Sequence, residues 1–303
     1  MRFRCLVAAW ILRPLEVKHL LSSSVPCASM PDEVTLGMPH LCMHGLSETW
    51  LLKECGHRHW LMLAAAAGLD VPDFRHSSGD PIYAAFLSVS IRDAAFETAC
   101  EHARLTFASR LARISRTRFT SLHRISISGR SIGEIAMTST FVRRAQKGRN
   151  HAIVRIEVPA LQKVELHLDS AVGGGEIAAL RSGHWRRHLG FERSRASVID
   201  RCIVDPCPGQ DFNGADFLYF ASYQAFVDRA EWAFFRERTS CATTRRRDIV
   251  YRGNIDPGER LVITLLQLSQ RPERLNHWYR LEREPDGSTI ADIFTVRALP
   301  LTG

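Results

Sequence analysis

Apolar and polar residues alternate with period two along much of this chain. Four such stretches lie in the first half, at 82–92 (IYAAFLSVSIR), 104–119, 121–129 and 131–144. Four more lie in the second half, at 246–255, 260–269, 275–284 and 288–297. Alternation puts successive side chains on opposite faces, so each stretch reads as a strand with one buried face. Ser128-Gly129-Arg130 and Asp286-Gly287-Ser288 supply the turn residues between strands.

A helical pattern precedes each set of strands. In the first half, LSETWLLKEC reads as strand-like. The helix is expected to open at Gly56-His57-Arg58-His59-Trp60, to run through LMLAAAAGL and to end at Gly68 as its C-cap. In the second half, the helix is expected to open at Asp211-Phe212-Asn213-Gly214. Apolar residues at 217, 218, 220, 221, 225 and 226 then give it a broad apolar face.

The halves also match residue by residue. Arg104-Leu105 precedes Arg260-Leu261 by 156 positions, and His123 precedes His277 by 154. Ser-Ile-Gly-Glu-Ile from 131 and Thr-Ile-Ala-Asp-Ile from 289 lie 158 apart, as do Gly56 and Gly214. Four ordered matches at nearly constant offset argue for duplication of one helix-plus-sheet unit. A long helix along a curved antiparallel sheet is the hot-dog arrangement. One copy leaves a sheet edge and an apolar face exposed, and a tandem chain supplies its own partner. The expected fold class is therefore α+β, a tandem (double) hot-dog, with units at 34–148 and 201–303 joined by 149–200. In that linker VRIEVPALQKVELHL could add a strand or two, while Gly173-Gly174-Gly175 and Arg181 to Arg187 lack a regular pattern. Residues 1–33 are read as disordered or as a mis-assigned extension, with translation starting at Met30 or Met38. CLVAAWIL only loosely imitates a signal peptide, because Arg13, Glu16 and Lys18 follow it.

Composition narrows the function. With 303 residues, 45% of them hydrophobic, the chain can form two domains of ordinary size. No apolar run approaches the roughly 18 residues of a membrane span. The net charge is +8, from arginine clusters that include Arg143, Arg144 and Arg149, Arg186 and Arg187, and Arg245 to Arg247. Aromatics do not alternate with these clusters in a base-stacking pattern, which argues against nucleic acid. A coenzyme A phosphate or an acidic carrier protein suits a scattered excess better. Eight cysteines without a CxxC pair read as reduced thiols of a cytoplasmic protein.

Asp205-Pro206, DFNGADFLYFASYQAFVDRAEW and RRDIVYRGNIDPGERL together resemble the opening of hot-dog acyl-CoA thioesterases. GMPHLCMHGLSETWLLKECGHRHW resembles double hot-dog proteins associated with polyketide biosynthesis. It is similar, more distantly, to the leinamycin-pathway acyltransferase/decarboxylase, which removes carbon dioxide from methylmalonyl-CoA and delivers a propionyl group to an acyl carrier protein. The resemblance spans about residues 34–300. It implies acyl-CoA or acyl-carrier-protein substrates, acyl transfer and/or decarboxylation, no cofactor beyond the coenzyme A thioester itself, and a possible homodimer. A thioesterase and a non-catalytic acyl-carrier binding module are the alternatives.

Candidate site residues follow. Gly56 and Gly214, at the expected helix starts, would let backbone amides approach a thioester oxygen. Asn213 could orient a carbonyl, and Asp211 could act as a base; both are equally good helix caps. Asp228 is expected to pair with an arginine. Tyr83 corresponds by resemblance to the tyrosine assigned as catalytic in the leinamycin enzyme, and could instead be a packed strand tyrosine. A phenol with a pKa near 10 is a weak nucleophile, so hydrogen bonding to the thioester oxygen is its easier role. His57 could contact substrate. Two histidines at i and i+2 do not share a helix face, so His57 and His59 are not expected to bind metal. Tyr219 and Tyr223 share a face and could line a pocket, and Asn254 could reach the substrate.

Overall fold

The computed structural model describes residues 32–166 and 174–300; the expectations for residues 1–31 lie outside them. In chain order the main elements are β1 (Glu33–Thr35), α1 (Glu48–Ala67), β2 (Tyr83–Arg92), β3 (Arg104–Ser115), β4 (Arg118–Ile127), β5 (Arg130–Arg144) and β6 (Ile153–Arg155). Then come α2 (Gly174–Ser182), β7 (Asp200–Val204), α3 (Pro208–Asp211), α4 (Phe220–Phe235), β8 (Thr243–Tyr251), β9 (Leu261–Arg271), β10 (Arg274–Arg283) and β11 (Thr289–Ala298).

These eleven strands join one antiparallel sheet, ordered β1-β3-β4-β5-β2-β8-β11-β10-β9-β7, with β6 on the edge of β5. The order is the same read from either end, β3-β4-β5-β2 against β9-β10-β11-β8. The two sets meet where β2 pairs with β8, Val89 opposite Ile249. The eight strands expected from alternation are all present. α1 and α4 pack on one face of this sheet and share one core, in which Leu51, Cys55, Val89, Ile91, Phe226 and Ile249 are fully buried. α2 and the residues after it cover the other face, where Leu180 and Phe191 meet Val250, Trp278 and Phe294. Among the described residues no helix is long and apolar enough to cross a membrane.

The helix openings differ from expectation. Ser47 caps α1, its Oγ accepting from the Trp50 N–H at 3.3 Å, so LSETWLLKEC is the first half of the helix rather than a strand. Gly68 ends it as expected, at φ 79°. Gly56 is therefore mid-helix, where its amide is engaged internally and cannot serve as a free donor. Glycine is needed there for another reason: a Cβ would come within 2.6 Å of the Phe220 ring, so glycine lets α4 cross α1 closely. In the second half α4 begins at Phe220. Asn213 holds 212–219 as a loop, because its Oδ1 accepts from the Ala215 and Phe217 N–H groups and competes with helix formation. Gly214 lies in this loop with open space around it. Within the linker, one expected strand is β6, whereas α2 was not foreseen.

Two buried polar layers lie beneath the helices. In the first half, His59 of α1 bonds Ser121 at 2.8 Å and Ser139 at 2.7 Å, and His123 bonds Ser121 at 2.9 Å and Ser109 at 2.8 Å. In the second half, His277 bonds Glu231 of α4, and Glu231 also accepts from Arg297 at 3.1 Å. Asp228 pairs with an arginine as expected, indeed with two: Arg247 at 2.7 Å and Arg297 at 2.5 Å. Arg247 reaches on to Glu48 of α1 at 3.0 Å, joining the halves. The six cysteines among the described residues are unpaired.

Candidate functional site

The sheet brings the start of β2 beside the end of β8, and the helix crossing at Gly56 and Phe220 covers them. A cleft of about 420 Å³ opens there, between the halves. The first half contributes Gly56, His57 and Trp60 from α1, Tyr83 to Leu87 from β2, and Thr140 and Val142 from β5. The second half contributes Asn213, the residues Phe217 to Phe220, Tyr223, and Tyr251 to Asn254. Asn150, Ile153, Arg155 and Arg181 complete it from the connecting segment.

Seven of the nine residues singled out in the sequence meet here: Tyr83, Asn213, Gly56, His57, Tyr219, Tyr223 and Asn254. Asp211 and Gly214 do not line the cleft. The Asp211 carboxylate is buried and accepts from the Cys207 N–H at 2.9 Å, which makes it a cap of α3 rather than a base facing a ligand. His57 and His59 diverge as expected, His57 to the exposed rim and His59 into the core.

The four tyrosines of the cleft are not equivalent. The Tyr223 hydroxyl donates to the Gly253 carbonyl at 3.0 Å, and the Tyr251 hydroxyl donates to the Phe220 carbonyl at 3.0 Å. Burial pushes both phenols up, and Tyr219 with them. Tyr83 is half-buried, with its ring edge-on to Phe217 at 5.4 Å between centroids. Arg144 lies 4.0 Å over the Phe217 ring and fixes this pair from behind. Among the described residues nothing hydrogen-bonds the Tyr83 hydroxyl, so it is free to donate into the cleft. Asn254 is committed to the scaffold: its Oδ1 accepts from the Leu218 N–H at 2.9 Å and its Nδ2 donates to the Leu218 carbonyl at 3.1 Å. The Asn213 oxygen is likewise consumed in its turn, which leaves its Nδ2 as the donor available to a ligand.

Arg155, Arg181 and Arg252 bring positive charge, and sequence reasoning did not assign them to the site. Arg252 is paired with Asp292 at 2.9 Å. Arg181 is anchored by donating to the Tyr251 carbonyl and has no carboxylate partner among the described residues. Burial, and then the guanidiniums of Arg155, Arg118 and Arg252, lower it to about 10. The cleft lining contains no Asp, Glu, Cys or Ser. It is therefore an apolar slot with hydrogen-bond donors and an unneutralised guanidinium, built to receive a group with a carbonyl oxygen and negative charge. Outside the cleft, His151, Asp256 and Glu259 are close enough to share a cation. Their oxygens are already occupied, since Asp256 accepts from the Asn150 N–H at 2.6 Å and Glu259 accepts from the Asp256 N–H at 2.8 Å.

No family model matches the sequence, and no curated protein matches it. Solved structures do. A protein described as an oleoyl thioesterase from Lactobacillus plantarum superposes with a TM-score of 0.63 at 13% identity, covering 88% of this chain and 94% of that one. The 12:0-ACP thioesterase of Umbellularia californica gives 0.61 at 9% identity, covering 88% and 93%. An acyl-ACP thioesterase from Bacteroides thetaiotaomicron gives 0.56 at 11% identity, covering 88% and 96%. At these identities the likeness is one of fold: the chain has the hot-dog architecture, a large antiparallel sheet with few helices.

Proposed function

We propose that this chain is a tandem hot-dog protein whose cleft holds the acyl group of a coenzyme A or carrier-protein thioester, and that it acts by acyl transfer and/or decarboxylation. The observation that carries this reading is the lining itself: donors and an unpaired guanidinium converge on an apolar slot without any carboxylate. Carboxylate-assisted hydrolysis needs a base that this lining lacks. Stabilising negative charge on a thioester oxygen needs only donors aimed at it.

In this account the acyl chain lies against Phe86, Phe220 and Trp60. The Tyr83 hydroxyl and the Asn213 Nδ2 donate to the thioester oxygen. Arg181, with Arg155 at the rim, pairs with a carboxylate borne by the acyl group. Loss of that carboxylate as carbon dioxide sends its bonding electrons to the α-carbon and the thioester oxygen, where the two donors hold them until the α-carbon takes up a proton from solvent. Tyr83 acts as donor rather than nucleophile. The proposed setting is polyketide assembly, with an acyl carrier protein as partner and no cofactor beyond the thioester. Thioester hydrolysis is the second reading. It is favoured by the described activities of the structural neighbours, and His57 would be its base at the exposed rim.

The test is to incubate the full chain with malonyl- and methylmalonyl-CoA, with and without a carrier protein bearing its pantetheine arm, and to follow product masses and free thiol. Carbon dioxide loss with the acyl thioester retained is expected. Free thiol with the carboxylate intact would replace this reading with hydrolysis, and unchanged thioesters would remove catalysis altogether.

A further inference from the structure

β2 carries Tyr83 into the cleft at one end and Arg92 away from it at the other. Ten residues of strand put the two about 30 Å apart. At the far end lies a second concavity of about 600 Å³, in the size range of small-ligand sites. Arg92, Arg245, Arg246, Arg271 and Arg274 line it, and Asp93 is the one acid among its lining residues.

Five guanidiniums around one groove repel one another unless something neutralises them. Two are neutralised within the chain: Arg245 pairs with Glu97 at 2.6 Å, and Arg246 with Asp248 at 3.0 Å and Glu176 at 3.1 Å. Arg92, Arg271 and Arg274 have no acidic partner among the described residues. Arg271 and Arg274 stand directly opposite each other across the β9–β10 hairpin, an arrangement that costs stability when the charges are alike. The register of β8 shifts between Thr244 and Arg246, so Arg245 is the extra residue of a bulge, a device that re-aims a side chain. The Arg92 Nε and the Asn276 Oδ1 are both buried at this groove without a hydrogen-bond partner.

We infer that this groove is a binding site for a small ligand bearing a diphosphate. Planar guanidiniums take phosphate oxygens two at a time, and three unpaired ones suit two adjacent phosphates better than a single anion. The inference stands apart from the reading of the cleft.

Isothermal titration of the full chain with orthophosphate, inorganic pyrophosphate and ADP tests it. Pyrophosphate is expected to bind at least about tenfold more tightly than orthophosphate. The double substitution Arg271→Gln/Arg274→Gln, on an exposed hairpin, and the single Arg92→Gln are each expected to weaken it about tenfold. Arg155→Gln, in the cleft, is expected to leave it unchanged. ADP binding more tightly than pyrophosphate assigns the diphosphate to a nucleotide, and the reverse order assigns it to the inorganic ion. Equal binding of orthophosphate and pyrophosphate, or pyrophosphate binding that survives both sets of substitutions, overturns the inference. So does a groove that binds only an acidic carrier protein.

Discussion

His123 on β4 and His277 on β10 occupy matching places in the two halves, and both are fully buried. Their company differs. His123 sits in a neutral chain of hydroxyls and imidazoles that runs from Ser109 through Ser121 and His59 to Ser139. His277 sits in a set of charges, bonded to a glutamate that an arginine also holds. Burial alone would push Glu231 up, but the Arg297 guanidinium and then His277 outweigh it and hold the carboxyl well below its usual range. The two halves thus share a strand order while their interiors differ. The charged set ties the halves together through Arg247 and Glu48, and the cleft opens beyond it with donors but no acid.

The largest expected effect comes from cutting the charged set. Arg247→Leu leaves Glu48 buried without its arginine and Asp228 paired with Arg297 alone. It is expected to cost about 3–5 kcal/mol in urea unfolding, the scale for breaking one side of a buried pair. A cost below about 1 kcal/mol would mean that the charges do not bind the halves. Next come the tyrosines, which differ in role by half. Tyr83→Phe is expected to lower turnover about 100-fold, the scale for one carbonyl-polarising donor, with unfolding unchanged. Tyr223→Phe removes a hydroxyl bonded to the scaffold, so it is expected to lower stability by about 1 kcal/mol while altering turnover far less. A reversed pattern would exchange the roles of the halves. Within the neutral chain, Ser121→Ala leaves one ring nitrogen of each histidine without a partner and is expected to cost about 1–3 kcal/mol, less than Arg247→Leu.

The smallest step, per unit of pH, is read from the titration of the buried histidines. Burial lowers His59 and His123 to about 3, with the His59 charge adding to the effect at His123. Their stabilising neutral state is fully present above an unfolded value near 6.5. As pH falls from there toward 3 the unfolded chain takes up protons that the folded chain refuses, and about 1.4 kcal/mol is lost per unit for each histidine. The Glu231 contribution is full above the ordinary carboxylate range and fades only below about 4.5. Burial lowers His277 as well, so stability measured between pH 6.5 and 5 reports on all three buried histidines, and His59→Gln/His123→Gln should make that limb shallower. A limb that stays steep in this variant would place its origin elsewhere.

Much of the fold was legible because strand alternation is local. The helix openings were not. Gly56 looks like a helix start until Phe220, 164 residues later, is seen to press on it. Asn213 and Asp211 look alike as caps, and only the loop they fold shows that the first faces the cleft and the second faces Cys207. Tyr83, Tyr219, Tyr223 and Asn254 could be named from local pattern and family resemblance. Arg181 could not, because it arrives on α2, a helix hidden behind a glycine run, and its contacts at Leu87 and Tyr251 are distant in sequence.

A crystal structure of the full chain with a non-hydrolysable malonyl thioester analogue of coenzyme A tests the central claim most directly. The account predicts the acyl group between α1 and α4, its carbonyl oxygen about 3 Å from the Tyr83 hydroxyl and its carboxylate on Arg181. An acyl group bound elsewhere, with the cleft unoccupied, would contradict it.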